Sequence, residues 1–217
     1  MGHFLVTGAF SGLGLSLSEE LVAQGMSVSG IGRLISTRDS GTLNIYSSVH
    51  EMDLSAPSAT GVQKVISDLI AIHPDTQLIL NAAQIEPLGP LGTLENSDIE
   101  KSLNVNITSA LFIMNSFLNC KQSANNIYVV GSGAAIHIIE GWDIYSIGKS
   151  SLLRAIDFVN AATPGIAQWL EPGVIDTHMQ ERLRSSNWGL QTEELVPANV
   201  VALELLRLII PSGNAHL

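Results

Sequence analysis

Val6-Thr7-Gly8-Ala9-Phe10-Ser11-Gly12-Leu13-Gly14 is the stretch that decides the fold. It joins a short apolar run, His3–Thr7, to a helical pattern, Gly12–Gln24, that stops at Gly25. The run reads as a strand and the glycines as the turn leaving it. Gly8 permits a tight turn, Gly12 lets backbone amides approach a ligand, and Gly14 lets the helix lie close to the sheet. A helix amino terminus at such a turn offers unpaired N–H groups to an anion. Glycine triplets are common in loops, but a triplet set between a strand and a helix points to the pyrophosphate of a dinucleotide.

The same alternation continues outward from this turn. Met26–Ile31, a weaker Tyr46–Met52, Gln77–Asn81, Asn126–Val130 and Ile166–Leu170 read as further strands. Between them, Val62, Val65, Ile66, Leu69 and Ile70 recur at helical spacing, and Asp98–Lys121, Asp143–Ala162 and Pro197–Ile210 also read as helices. Strand alternating with helix predicts right-handed crossovers and an α/β, Rossmann-type, doubly wound parallel sheet. No repeat, linker or low-complexity tract interrupts it, so residues 1–217 are expected to form one NAD(P)-binding domain. Ligands of such sheets sit beyond the carboxyl ends of the strands. The loops after Thr7, Ile31, Met52, Asn81, Val130 and Leu170 should then share one rim.

Composition agrees with this class. With 46% apolar and 14% charged residues, the chain can cover both faces of a buried sheet. The formal charge of −10 excludes a nucleic-acid or anionic-membrane surface, since phosphate backbones require clustered Lys and Arg. A phosphorylated cofactor needs only local donors. Cys120 is the single cysteine, which rules out an internal disulfide and suits a reducing compartment. No secretory leader or membrane-length apolar run is visible, and a cytoplasmic location is expected.

Two further places on that rim carry chemistry. The second strand ends Gly30-Ile31-Gly32-Arg33, without the acidic residue that would grip a ribose 2′-hydroxyl. Arg33, with Arg38 nearby, is placed instead to meet a 2′-phosphate, which favours NADP(H) over NAD(H); a solvated loop arginine is the alternative. Asp53, after the third strand, could hydrogen-bond an adenine amino group or cap the helix that follows. At the other end, Ser132 leaves the fifth strand, Tyr145 follows it by thirteen residues, and Lys149 lies one helical turn beyond. Tyrosine is a poor acid, with a reference pKa of about 10, and an ammonium on the same helix face would lower it. Such a phenol can protonate a carbonyl oxygen while Ser132 holds it. Tyr-x-x-x-Lys alone is a modest signal, and its bland reading is an amphipathic helix.

Taken together these motifs resemble the short-chain dehydrogenase/reductase family over almost the whole chain. Thr7-Gly8-Ala9-Phe10-Ser11-Gly12-Leu13-Gly14 is similar to the family's Thr-Gly-x-x-x-Gly-x-Gly turn, and Tyr145-Ser146-Ile147-Gly148-Lys149 to its Tyr-x-x-x-Lys. The resemblance implies a catalytic set of Asn106, Ser132, Tyr145 and Lys149, with Asn106 serving a proton relay through a bound water. It implies cofactor contacts from Thr7, Gly8, Ser11, Gly12, Leu13, Gly14, Tyr145 and Lys149. Leu80-Asn81-Ala82-Ala83 stands where the family has Asn-Asn-Ala-Gly, and places Asn81 and Ala82 beside the cofactor. Pro172-Gly173-Val174-Ile175-Asp176-Thr177 is similar to the family's Pro-Gly segment, so Pro172, Gly173, Ile175 and Thr177 are expected at the nicotinamide carboxamide.

Within the family, Thr177-His178-Met179-Gln180 and Pro87-Leu88-Gly89-Pro90-Leu91 are similar to sepiapterin reductases and bacterial benzil reductases. The carboxyl terminus, Pro211–Leu217, lacks the pterin-anchoring acid and leaves the last strand short or missing. The resemblance therefore favours a small or aromatic carbonyl or diketone as substrate. A sepiapterin-type reductase or alcohol dehydrogenase is the alternative, and a non-catalytic NADP-binding sensor is a third. Ile136, Ile138, Ile139 and Trp142 are expected to wall the substrate, with His137 or Glu140 as polar handles; Met179, Leu183 and Trp188 lie on a segment that in the family folds over the substrate, with Trp188 as a mobile aromatic lid. His137 and His178 have no partners at metal-ligand spacing, so no metal is expected. The apolar Leu111–Leu118 helix needs covering by the sheet or by a partner, and the family's habit favours a homodimer or homotetramer.

Overall fold

A computed structural model describes residues 2–33, 40–120, 125–189 and 195–210. In chain order its elements begin β1 (His3–Thr7), α1 (Gly12–Ala23), β2 (Ser27–Gly32), α2 (Ser40–Leu43), β3 (Ser48–Glu51), α3 (Ala59–Ile72) and β4 (Thr76–Leu80). There follow α4 (Asn96–Leu103), a π-helical turn (Asn104–Thr108), α5 (Ser109–Cys120), β5 (Ile127–Val130) and a 3-10 turn (Gly133–Ala135). The chain continues through α6 (Asp143–Ala162), β6 (Ala167–Leu170), β7 (Ile175–Asp176), α7 (His178–Arg184), β8 (Val196–Pro197) and α8 (Ala198–Ile209).

Six strands form a parallel sheet in the order β3-β2-β1-β4-β5-β6, and β7 pairs separately with β8. This is the doubly wound arrangement expected from the alternation. The expectation of a short or missing last strand falls on residues 211–217, outside the described residues. Period-two side-chain alternation divides the strands between two cores. Leu5, Leu78, Leu80, Ile127 and Val129 pack under α3, α5 and α6, with Phe117 fully buried among them. Phe4, Val6, Val28, Ile79, Tyr128 and Val130 pack under α1 and α8.

The predicted single helix Asp98–Lys121 is one continuous helical stretch from Asn96 to Cys120 carrying a π turn at its middle; Lys121 lies outside the described residues. The extra residue in that turn rotates everything after it, so the apolar set of α5 faces α3 while Leu111 stays exposed. Sequence periodicity cannot register a one-residue insertion inside an otherwise helical pattern.

A polar seam crosses the far edge of the sheet, away from the rim. His3 is buried, its Nδ1 2.9 Å from Thr76 Oγ1 and its Nε2 3.0 Å from Ser29 Oγ, and its ring stacks on His73 with centroids 4.0 Å apart. Burial, reinforced by the neighbouring His73 and opposed by Asp75, lowers its pKa to about 4. The folded protein therefore holds His3 neutral at a pH where the unfolded chain would protonate it. Between pH 6.5 and 4 unfolding takes up a proton, so stability falls as pH falls across that window and levels off below it. The loss should reach about 3 kcal/mol at most. Urea unfolding from pH 7 to pH 4 should show this loss in the parent and a flatter profile in His3→Asn; parallel profiles would remove His3 from the account.

Candidate active site

The carboxyl ends of β1 and β4 meet at the point where the chain leaves the sheet in opposite directions, and polar side chains join them there. Thr7 Oγ1 accepts the backbone N–H groups of Asn81 and Ala82, each at 3.0 Å, and Asn81 Nδ2 donates to Thr7 O at 3.0 Å. Gly8 and Gly12 take left-handed φ values of 62° and 49°. A Cβ on Gly14 would lie 2.2 Å from Gly8 O, so only glycine lets α1 start this close to the strand. Tyr46 donates to Ala9 O at 2.6 Å and packs edge-on to Phe10, holding the turn from behind. At the start of α1, Ser11 makes no side-chain bond to the helix amides, and no acidic residue occupies the first turn. Both features suit an anion at this end.

One cavity of about 1020 Å³ runs from this turn to the end of β5. Gly8, Ser11, Gly12, Leu13, Asn81 and Ala82 line its first part, with Arg33 and Asp53 on the same wall. Ser132, Tyr145 and Lys149 line its far part, with Pro172, Gly173, Ile175 and Thr177 beside them. The expected residues Thr7, Gly14 and Asn106 do not reach the cavity but hold its walls from behind. The residues present suit a dinucleotide: the volume is ample, and a glycine turn and helix start stand at one end.

Asp53 does not cap the following helix. Its Oδ1 accepts Ser55 N and Ser55 Oγ at 2.9 and 2.8 Å, and Ser58 caps α3 instead by accepting Gly61 N at 3.2 Å. The Ser55 bonds, with help from nearby Arg33, lower the Asp53 pKa. Arg33 is exposed at the end of β2, and Arg38 lies outside the described residues.

At the far end, Tyr145 and Lys149 are buried on the inner face of α6. Lys149 Nζ donates to Val130 O at 2.8 Å and stands 5.7 Å from the Tyr145 ring centroid. Burial lowers the lysine's pKa to about 8, opposed by the charge of Glu171. The expected depression of the tyrosine pKa is not what the structure gives. Burial pushes Tyr145 up to about 12, against a hydrogen bond with Ser132 that acts downward, and Glu171 adds to the rise. The reason is desolvation: an ammonium committed to a backbone carbonyl does little to offset the loss of water around a buried phenol.

Asn106 sits in the π turn, and its side chain is fully engaged. Oδ1 accepts Gln84 N at 2.8 Å, while Nδ2 donates to Gln84 O at 2.7 Å and to Ser102 Oγ at 3.2 Å. A Cβ on Gly148 would lie 2.9 Å from Asn106 Cβ, so the glycine within Tyr-x-x-x-Lys lets α6 close onto this turn.

The substrate wall differs from expectation in part. Ile139, Trp142, Met179 and Leu183 line the cavity, but Ile136 and Ile138 point to solvent, and His137 and Glu140 stay off the wall. Trp188 does not line the cavity: it packs with Trp142, whose Nε1 donates to Trp188 O at 2.9 Å. Gln84, Ile85, Glu86, Glu171 and Arg182 line the cavity without having been foreseen. Their positions follow from loop paths that no periodicity encodes, although Glu171 directly precedes the Pro-Gly segment and could have been suspected.

The model of the short chain dehydrogenase family matches residues 2–188. The chain belongs to that family. It is accordingly an NAD(P)-dependent oxidoreductase. An oxidoreductase of Schizosaccharomyces pombe is 25% identical over 189 residues, covering 84% of this chain and 74% of its own length. An (S)-benzoin-forming benzil reductase of Bacillus cereus is 22% identical over 200 residues, covering 86% and 80%. Among solved structures, a short-chain dehydrogenase from Burkholderia cenocepacia in complex with NADP superposes with a TM-score of 0.81 at 21% identity, covering 99% of this chain and 92% of that one. That likeness concerns the fold.

Replacing Asn106 by Ala strands the Gln84 N–H and C=O, and an unpaired buried polar group costs about 1–3 kcal/mol. Denaturant unfolding of Asn106→Ala should lose stability on that scale, while Asn119→Ala on the exposed face of α5 should not. Equal midpoints for both variants would show that the Gln84 bonds carry no weight.

Proposed function

We propose that this chain uses NADPH to reduce a small or aromatic carbonyl or diketone, with Tyr145 as the proton donor. The observation that carries the reading is the continuity of one cavity from the glycine turn to Ser132, Tyr145 and Lys149. A bound NADPH would supply the hydride. The residues supply the rest. The Ser132 and Tyr145 hydroxyls interact at the cavity's far end, so both can address one carbonyl oxygen. A phenol kept protonated by burial carries the proton that this oxygen needs as it gains charge. Lys149, charged below about pH 8, stands 5.7 Å from the centroid of the ring that becomes a tyrosinate. Asn106 belongs to the set as the residue that holds the Gln84 wall.

Arg33 supports NADP(H) over NAD(H), because the end of β2 offers a guanidinium on the cavity wall where an acid would grip a 2′-hydroxyl. The wall of Ile85, Ile139, Trp142, Met179 and Leu183 suits an apolar substrate, and the resemblance to benzil reductases supports an aryl diketone. We further propose a cytoplasmic homodimer or homotetramer. Leu111 on α5 and Ile147 and Phe158 on α6 are exposed and would gain from cover, and no helix among the described residues is long and apolar enough to cross a membrane.

Tyr145→Phe should abolish benzil-dependent NADPH oxidation, followed by absorbance, while leaving NADPH affinity by fluorescence titration within about threefold, since only the proton donor is removed. Turnover equal to the parent would exclude Tyr145 as the acid. Arg33→Ala should weaken NADPH about tenfold or more and NADH little, because one charge-assisted pair with the 2′-phosphate is lost. Equal losses for the two cofactors would take Arg33 out of a phosphate site.

A further inference from the structure

Among the described residues, one ion pair spans the mouth of the cavity at its substrate end. Arg182 Nη1 on α7 donates to Glu86 Oε2 at 2.6 Å, joining residues 96 apart in sequence, and both residues line the cavity. The Glu86 side of this contact is anchored to the body of the protein. Gln84 Nε2 donates to Glu86 O at 3.1 Å, and Asn106 holds the Gln84 N–H and C=O from the π turn. The α7 side is lightly anchored. Leu183 is the only buried residue of α7, and the β7 strand before it pairs with β8 and not with the main sheet. A short helix with one buried side chain gains little from burial, so a directional bond across the opening has leverage on where it rests.

We propose that Glu86 and Arg182 form a clasp across the cleft that sets the position of α7 over the substrate and so discriminates among carbonyl substrates. The two charges offset each other, so the pair adds no net charge to the substrate end and offers no free cation to a keto acid. A substrate carboxylate would have to compete with Glu86 for the guanidinium. Glu86 and Arg182 are positioning residues in this scheme and take no proton. The scheme rests on the reductase reading for what it discriminates, but the clasp itself is testable without turnover.

Three variants separate the possibilities: Glu86→Gln, Arg182→Gln, and the exchange Glu86→Arg with Arg182→Glu. Both partners are half-exposed, so each single change should act modestly, about two- to fivefold. Hydrogen exchange of the amides of residues 178–184 should quicken by that factor in each single variant and return towards the parent in the exchange variant. The kcat/KM for benzil should fall by the same factor through KM, with the KM for NADPH within about twofold of the parent, and should recover in the exchange variant. Unchanged exchange in α7, or an exchange variant no better than the singles, overturns the clasp. If the parent fails to oxidise NADPH with benzil, the substrate reading fails by itself and the exchange data still decide the clasp.

Discussion

The stitching of β1 to β4 through Thr7 and Asn81 is the constraint on which the rest of the site depends. In the order β3-β2-β1-β4-β5-β6 the winding reverses between these two strands, so their outgoing loops part and leave a cleft. A cleft at that point ends the backbone ladder and exposes its last N–H and C=O groups. The Thr7 hydroxyl takes two of those N–H groups, and the Asn81 amide reaches the carbonyls of Thr7 and Gly8. These four bonds pair backbone groups that the cleft would otherwise leave open. The same bonds fix where the glycine turn stands relative to the loop after β4. Gly14 completes the arrangement by letting α1 begin against the Gly8 carbonyl, which no side-chain-bearing residue could do.

From this fixed rim the other features follow as successive supports. The loop after β4 carries Gln84 and Glu86, and the π turn presents Asn106 to Gln84 in a two-way backbone bond. The helix bearing Tyr145 and Lys149 packs on that same turn through Gly148, so the chemical groups and the substrate wall share one buttress. A displacement of the π turn would move Tyr145, Lys149 and the Gln84 wall together. This accounts for a π turn being kept in a helix whose sequence would otherwise favour an unbroken α-helix.

The sheet, its strand ends and the residues gathered on its rim were legible because each is written locally. Strand–turn–helix at Thr7–Gly14 and the helical spacing of Tyr145 and Lys149 need no knowledge of the rest of the chain. What was illegible depends on paths between distant segments. Ile136, Ile138 and Ile139 look equivalent as text, yet only Ile139 turns to the cavity, because the 3-10 turn after Ser132 sets the direction of the loop. Trp188 between Asn187 and Gly189 suggested a mobile lid, but its carbonyl is tied to the Trp142 indole. The Glu86–Arg182 pair joins segments that nothing in either neighbourhood connects.

The electrostatics at Tyr145 and Lys149 show why spacing alone misjudged the tyrosine's pKa. Four residues of helix bring an ammonium to the right face, but burial acts on both groups and in opposite directions, raising the phenol and lowering the amine. Val130 O then takes the ammonium's bond, leaving the tyrosine without a direct charged partner. Glu171, on the same cavity wall, adds a negative field that keeps protons on both groups. A site built this way rests with its phenol protonated and its ammonium nearly ready to release a proton near pH 8. Any proton that leaves the tyrosine must therefore do so against both burial and Glu171.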